Sequence, residues 1–258
     1  MSDAILSRFV WHELLTTDPK AAVAFYGEVV GWKTQAWENG QYTMWVGSQG
    51  PLGGTMDLPE PARKMGAPPH WTSNVAVKDV DATVAQARER GGRVYVEPND
   101  IPNVGRFAVI ADPQGASISV FKPAQAMDLH DATKPGEFCW GELATTDHEA
   151  AFRFYSELFG WKKLGDFDMG PRGKYLIYGV GEVRLGGMFT KGKEMPMPAA
   201  WLYYTQVADL DAAVARAKAR GAKLLNGPME VPGGARIAQF TDPQGAFFAL
   251  HEEAKTKR

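Results

Sequence analysis

The sequence predicts an α+β fold in which four β-α-β-β-β modules pair into two lobes. The strongest observation is an internal repeat, because Phe9–Lys33 returns 129 residues later as Phe138–Lys162 with fifteen of twenty-five positions identical. The turn sequence Asp-Pro-Gln-Gly-Ala likewise occurs at 112–116 and again at 242–246. A second strand-helix pattern inside each repeat doubles the module count, so that each lobe is expected to hold two modules.

The first module begins with a strand over Trp11–Thr16. Asp18-Pro19 then predicts a helix start, because Asp caps the first turn and Pro suits its first position. Apolar residues recur at helical spacing until Gly31, which ends the helix. Two or three short strands follow, and Tyr42–Val46 is the clearest of them.

The second module repeats this order. Thr72–Val77 reads as a strand and Asp79–Arg90 as an amphipathic helix, which ends at Gly91-Gly92. A hairpin follows, and Asp112–Gly115 has the composition of its turn. These patterns predict a first domain over 5–122, a proline-bearing linker over 123–137 and a second domain over 138–253.

Composition narrows the class of partner. The chain has 258 residues, of which 45% are hydrophobic and 22% charged, with a net charge of −2 and a single cysteine, Cys139. Lys and Arg form no block, so neither nucleic acid nor a membrane surface is expected as a partner. No stretch is apolar enough for a membrane span, and the start has no signal-peptide pattern. We therefore expect a cytoplasmic protein with a small organic molecule as its partner.

Three segments of the first repeat carry a family resemblance: WHELLTTD with FYGEVVGW, then VAVKDVDATVAQARERGG, then ADPQGASISV. Together they resemble the vicinal oxygen chelate superfamily, which includes glyoxalase I, extradiol dioxygenases and bleomycin- and fosfomycin-resistance proteins. The resemblance covers nearly the whole chain. It implies that each pair of modules curls a mixed eight-stranded sheet around a cleft, with the helices outside. A tandem chain of this kind is expected to be a monomer or a homodimer.

The resemblance also implies where a metal would bind. Family members that do metal chemistry place His, Glu or Gln on the first, fifth and last strands of each lobe. In each lobe these positions lie seven residues before the two helix-capping aspartates and seven residues after the turn aspartate. They are Trp11, Thr72 and Ser119 in the first lobe and Trp140, Leu202 and Ala249 in the second. None of these is an ordinary ligand for a divalent ion. We therefore predict no metal and no other cofactor.

Glu13 and Glu142 are the only carboxylates expected on a cleft-facing strand. Each lies two residues from a Trp that would desolvate it and raise its pKa, as a catalytic base requires. The alternative is a structural ion pair, because Arg106 and Arg236 also recur in both repeats and a cleft-lining Glu is most stable beside an Arg.

The histidines are weaker candidates. His12 is expected on the core side by strand alternation, and Gly141 replaces it in the second repeat. His70 precedes the fifth strand and could overhang the first cleft. Strand alternation places the His251 side chain on the cleft face at the end of the second lobe, so His251 is the better candidate for a ligand contact.

The two clefts are predicted to differ in character. We expect the following side chains to contact a ligand: Trp11, Thr72, Asn74, Ser117 and Ser119 in the first lobe, and Trp140, Tyr204, Gln206, Phe247 and His251 in the second. The first set is rich in hydroxyls and the second in aromatic rings, which favours unlike ligands or a single working cleft. Flat apolar rings suit the stacking of a planar molecule.

Three functions remain open at this point. The first is a glyoxalase- or bleomycin-resistance-like protein that holds a small organic molecule in a metal-free cleft. The second is a lyase, isomerase or hydroxylase-like enzyme that uses Glu13 or Glu142 as a general base, or that has a non-standard metal site. The third is a structural or regulatory partner whose clefts are vestigial.

Overall fold

The computed structural model describes residues 3–37, 40 and 42–254 of the chain. It contains two eight-stranded mixed sheets and five α-helices within that range. The two repeats have the same order of elements and build sheets of the same strand order, which confirms the predicted α+β fold and its duplication.

The first repeat supplies two modules. The elements of the first module are β1 Phe9–Thr16, α1 Pro19–Val29, β2 Lys33–Trp37, β3 Tyr42–Gly47 and β4 Gly50–Asp57. A short helix, α2 Glu60–Lys64, lies before the second module, whose elements are β5 His70–Ala76, α3 Val80–Glu89, β6 Arg93–Ile101, β7 Gly105–Ala111 and β8 Ser117–Pro123.

The second repeat has the same order of elements. Its third module comprises β9 Phe138–Thr145, α4 His148–Phe159, β10 Lys162–Asp168, β11 Lys174–Val180 and β12 Val183–Thr190. Its fourth module comprises β13 Ala200–Gln206, α5 Leu210–Ala219, β14 Lys223–Glu230, β15 Arg236–Thr241 and β16 Phe247–Glu252. In each module the first strand pairs in parallel with the last, as β1 does with β4 and β13 with β16. The first sheet has the strand order β2-β3-β4-β1-β5-β8-β7-β6, and the second has the order β10-β11-β12-β9-β13-β16-β15-β14, which is the first order shifted by eight strands.

The helix starts are those that the sequence predicts. The Asp18 carboxylate accepts a hydrogen bond from the Ala21 amide, and Asp79 does the same for Ala82. An N-cap of this kind satisfies an amide that the first helical turn leaves without a partner. The turn aspartate Asp112 accepts from the Gln114 and Ala116 amides, which confirms the predicted hairpin between β7 and β8.

The chain packs into two compact units, and each unit combines modules from both repeats. Unit 1 contains the described residues up to Val10 with those of Thr72–Leu129 and Trp140–Trp201, and so joins the second and third modules. Unit 2 contains the described residues of Trp11–Trp71 and His130–Cys139 and those from Leu202 to 254, and so joins the first and fourth modules. The division of the sequence into domains at 5–122 and 138–253 stays a prediction.

A buried hydrogen-bonded chain lies in the core of unit 2. Trp71 Nε1 donates to Tyr26 Oη across 2.9 Å, and Tyr26 Oη donates to Asp242 Oδ2 across 3.0 Å. Tyr26 is 1% exposed, so each of these polar atoms depends on its protein partner. The bond to Asp242 therefore holds the first module against the fourth.

Unit 1 contains the equivalent chain. Trp201 Nε1 donates to Tyr155 Oη across 3.3 Å, and Tyr155 Oη donates to Asp112 Oδ2 across 3.2 Å. These bonds join the third module to the second. None of the described helices is long and apolar enough to cross a membrane.

Candidate functional site

The side chains of β1 alternate between buried and half-buried, as predicted. His12, Leu14 and Thr16 are buried, whereas Trp11 and Glu13 are half-buried. In the parallel pairing of β1 with β4, His12 lies opposite Gly53 and Glu13 opposite Gly54. The first strand therefore presents one indole and one carboxylate on the face away from the buried residues.

A hydrogen-bonded chain joins these two side chains in unit 2. Trp11 Nε1 donates to Tyr42 Oη across 2.7 Å, and Tyr42 Oη donates to Glu13 Oε1 across 3.0 Å. Among the described residues, Glu13 Oε2 has no hydrogen-bond partner. One carboxylate oxygen is thus held by the protein, while the second can accept a hydrogen bond from another molecule.

Unit 1 has the same arrangement in the second repeat. Trp140 Nε1 donates to Tyr175 Oη across 2.8 Å, and Tyr175 Oη donates to Glu142 Oε2 across 2.9 Å. Trp140 and Glu142 are half-buried, like Trp11 and Glu13. We call the two sets the Trp11–Tyr42–Glu13 site and the Trp140–Tyr175–Glu142 site.

Glycine makes room for each tyrosine. A Cβ atom on Gly54 would overlap the Tyr42 ring, and a Cβ atom on Gly187 would overlap the Tyr175 ring. Gly53 and Gly186 in turn face the backbone carbonyls of His12 and Gly141 at close range. The glycine pairs thus allow close approach of backbone and aromatic rings.

Burial shifts the ionisation of the first site. It raises the pKa of Glu13, and the hydrogen bond from Tyr42 offsets part of that rise. Burial also raises the pKa of Tyr42, to which the Glu13 charge adds. Tyr42 therefore remains a neutral donor at physiological pH, while Glu13 binds a proton more readily than an ordinary carboxylate.

The predicted ion pairs of the two glutamates are wrong. Arg106 forms a two-bond pair with Asp81, at 2.7 and 2.8 Å, and also contacts Asp100. Arg236 forms the equivalent pair with Asp211 and also contacts Glu252. Arg106 thus connects β7 to α3, and Arg236 connects β15 to α5. The partner that recurs beside each glutamate is a tyrosine.

The side chains at the six metal positions do not fit a metal ion. The indole N–H groups of Trp11 and Trp140 are donors, and both are engaged by a tyrosine oxygen. The side chains of Leu202 and Ala249 have no atom that could coordinate a metal ion. Within the described part of the chain, no group of three or more His, Cys, Asp or Glu side chains could hold a metal ion. A divalent ion needs several such ligands to replace its hydration shell.

The polar residues predicted to line the first cleft lie mostly inside the protein. Thr72, Asn74 and Ser119 are buried, and Ser117 is half-buried. Asn74 and Ser119 are opposite each other on β5 and β8. Thr72 Oγ1 is buried and has no hydrogen-bond partner in the described residues. Ligand contact at these four residues stays a prediction.

The fourth module brings two of the predicted ligand residues together. His251 Nδ1 lies 2.6 Å from Gln206 Oε1, and the two residues are opposite each other on β16 and β13. Tyr204 is buried and accepts a hydrogen bond from Gln239, whereas Phe247 is 40% exposed. Burial lowers the pKa of His251. Ligand contact at these residues also stays a prediction.

His12 is a core residue, as strand alternation predicts. Its ring stacks on Phe138 with centroids 3.7 Å apart, and burial lowers its pKa to about 3. His70 Nδ1 lies 2.7 Å from the Pro68 carbonyl, and burial lowers the pKa of this histidine too. Neither residue contributes to the two Trp–Tyr–Glu sites.

A cavity of about 840 Å³ lies on the other face of the first module. Its lining includes Lys20 of α1 with Thr43 and Thr55 of the adjacent strands. Thr43 and Thr55 follow Tyr42 and Gly54 in sequence, so their side chains point away from the Trp11–Tyr42–Glu13 site. In the third module, the corresponding corner is occupied by His148 and Thr190: the His148 amide donates to Thr190 Oγ1, and His148 Nδ1 lies 2.8 Å from the same oxygen.

Tyr42 and Tyr175 are the functional residues that the sequence analysis missed. Tyr42 is the first residue of β3 and Tyr175 the second residue of β11, and they are 133 residues apart, the same spacing that separates Gly54 from Gly187. That shared spacing is the signal that could have identified them. Their pairing with Glu13 and Glu142 depends on strand register, which the sequence alone does not specify.

Two mixed sheets, each built from a pair of β-α-β-β-β modules, define the vicinal oxygen chelate fold. The Glyoxalase/Bleomycin resistance protein/Dioxygenase superfamily model matches residues 8–120 and again residues 138–250. The chain belongs to this superfamily, with one copy of the family sequence in each repeat.

Three known proteins illustrate the range of its relatives. "Putative glyoxylase CFP32" of Mycobacterium bovis is 31% identical over 251 residues, which are 95% of this chain and 94% of that protein. "Anthracycline biosynthesis protein DnrV" of Streptomyces peucetius is 31% identical over 257 residues, with coverage of 94% and 92%. The Mn(II)-bound glyoxalase of Novosphingobium aromaticivorans shares the fold with a TM-score of 0.65 at 17% identity, covering 97% of this chain and 83% of that one.

Proposed function

We propose that this protein binds a small organic molecule that carries a hydrogen-bond donor, at the Trp11–Tyr42–Glu13 and Trp140–Tyr175–Glu142 sites. The observation that carries the proposal is the repeated carboxylate that accepts a hydrogen bond from a tyrosine beside a half-buried indole. The indole face offers apolar area, and the carboxylate offers an acceptor that fixes the orientation of the ligand. The names of the relatives, a glyoxylase and an anthracycline biosynthesis protein, support a small organic ligand.

We further propose that the ligand binds without a metal. The chemistry of the side chains at the six metal positions supports this, because indole groups, alkyl groups and isolated hydroxyls cannot replace the hydration shell of a divalent ion. No nucleic acid or membrane partner, a monomeric or homodimeric state and a cytoplasmic location all stay predictions.

The test is a calorimetric titration with 2-naphthol, a small molecule that combines a flat ring with one hydroxyl donor. We expect two binding sites per wild-type chain. A hydrogen bond to a charged group contributes about 1.5–3 kcal/mol, so Glu13→Gln and Glu142→Gln should each weaken one site by about tenfold to a hundredfold. The matched control is Glu89→Gln, since the Glu89 side chain is 75% exposed. Equal binding by wild type and by the double variant Glu13→Gln with Glu142→Gln would reject the proposal.

A second candidate function is proton abstraction from a carbon atom by Glu13 or Glu142. It is favoured by the raised pKa of Glu13, because a general base works best with a pKa near the operating pH. The test is incorporation of solvent deuterium into dihydroxyacetone, followed by proton NMR. Exchange with wild type that disappears in Glu13→Gln or Glu142→Gln would support an enzyme, and exchange at the rate of buffer alone would reject this candidate.

A further inference from the structure

Three parallel aromatic rings cross the third module beside Glu142. Phe167 on β10 and Phe189 on β12 both lie opposite Tyr175 of β11 in the strand register. The Phe167 and Tyr175 ring centroids are 4.8 Å apart with an angle of 20° between the planes. The Phe189 and Tyr175 centroids are 6.1 Å apart with an angle of 14°. Cross-strand neighbours on one face have thus formed a row of nearly parallel rings.

The outer members of this row remain partly accessible. Tyr175 is 7% exposed, because it lies between the two phenylalanines. Phe167 and Phe189 are half-buried, as is Trp140, whose N–H is bound to the Tyr175 oxygen. Partly accessible aromatic rings therefore lie on the face of the sheet that carries Glu142.

The first module is built differently at the same places. Trp37 lies opposite Tyr42 in the strand register, where Phe167 lies opposite Tyr175. Trp37 is 39% exposed. Met56 stands two residues after Gly54, where Phe189 stands two residues after Gly187. The Trp11–Tyr42–Glu13 site thus has a flexible thioether in place of one of the aligned rings.

From this comparison we infer that the Trp140–Tyr175–Glu142 site selects a planar aromatic molecule with a hydroxyl group. The inference rests on the proposed function and names the class of ligand for one of its two sites. A flat ring can stack on the accessible rings while its hydroxyl donates to Glu142, whereas a puckered ring of the same size cannot lie parallel to them. The site of the first module lacks this preference.

The experiment compares 2-naphthol with decahydro-2-naphthol, which keeps the hydroxyl and the carbon skeleton but is not flat. It uses the Glu13→Gln chain, in which the second site is measured alone. We expect 2-naphthol to bind about tenfold more tightly, as two additional ring contacts would provide. In the converse Glu142→Gln chain the two compounds should bind within about twofold of each other.

Ring variants test the same inference in a second way. Phe189→Leu and Phe167→Leu, each made in the Glu13→Gln chain, should reduce the preference for the flat compound to about threefold or less. The matched control is Tyr95→Leu, which removes an exposed ring on β6 of the same unit and should leave the preference unchanged. Thermal unfolding confirms that each variant is folded.

Different results would reject the planar preference of the second site and the proposed function itself. If both compounds bind equally in the Glu13→Gln chain and binding is lost when Glu142→Gln is added, the proposed function stands and the planar preference is wrong. If neither compound binds the wild-type chain, or if the two glutamine substitutions together change nothing, the proposed function itself is wrong.

Discussion

Tyr42 donates its hydroxyl hydrogen to Glu13 Oε1 across 3.0 Å. The same bond joins Tyr175 to Glu142 in the second repeat, at 2.9 Å. Each tyrosine also accepts the indole N–H of a Trp two residues before the glutamate. In each repeat a tyrosine hydroxyl therefore orients the carboxylate, and a carboxylate oxygen can accept more than one hydrogen bond, including one from a ligand.

Loss of the hydroxyl should lower the free energy of unfolding more at the core residue Tyr26 than at Tyr42 of the candidate site. Tyr26→Phe leaves the buried Trp71 N–H and Asp242 oxygen without their partner, and should lower the free energy of unfolding by about 1.5–3 kcal/mol. Tyr42→Phe should lower it by about 1 kcal/mol, because water can reach the half-buried Glu13. Urea denaturation of the two variants measures both values. A larger loss for Tyr42→Phe would contradict the distinction between a core network and a ligand site.

Glycine at position 187 should be required for the second site. Gly187→Ala places a methyl group in the Tyr175 ring, which must move away from Glu142. We expect a loss of about 1–3 kcal/mol in stability, as for other overpacked sites, together with weaker 2-naphthol binding. The control is Gly165→Ala in the same unit, where an added Cβ would meet nothing nearer than 3.9 Å. Unchanged binding by a folded Gly187→Ala protein would show that the Tyr175 position is not needed.

The buried His12 should make the protein sensitive to acid. Its folded pKa of about 3 lies below the ordinary value of 6.5, so the unfolded chain takes up the proton first as the pH falls. The stability from neutral His12 is therefore complete above pH 6.5 and is lost between 6.5 and about 3. The loss should approach about 1.4 kcal/mol per pH unit within that window.

The measurement is urea denaturation at pH 7.5 and pH 5.0 for wild type and His12→Gln. The variant has no group that titrates at this position, so its free energy of unfolding should fall by about 1–2 kcal/mol less than that of wild type over the interval. Equal falls in the two proteins would show that His12 is not the group responsible.

Much of the fold could be predicted from the sequence, because its signals are local. Asp18 and Asp79 are N-caps, and Asp112 orders its turn, through bonds to amides two to four residues away. Such contacts depend only on nearby residues, and the second repeat carries a copy of each pattern, at Asp147, Asp209 and Asp242. The alternation along β1 was predicted for the same reason, since one buried face imposes a period of two.

The candidate site could be predicted only in part. Trp11 and Glu13 lie on one strand, so their common face follows from alternation. Tyr42 reaches Glu13 from another strand, 29 residues along the chain, and this depends on register. The expected Arg106 partner was wrong because recurrence in both repeats cannot show which of several carboxylates an arginine meets. In the structure Arg106 donates two hydrogen bonds to the Asp81 carboxylate.

A crystal structure of the wild-type protein with 2-naphthol tests the central claim most directly. We predict that the naphthol ring lies against Trp140 and the Phe167–Tyr175–Phe189 row, with its hydroxyl oxygen within about 3 Å of a Glu142 carboxylate oxygen. Density for 2-naphthol in the cavity beside α1, with none at Glu142 or Glu13, would contradict the claim.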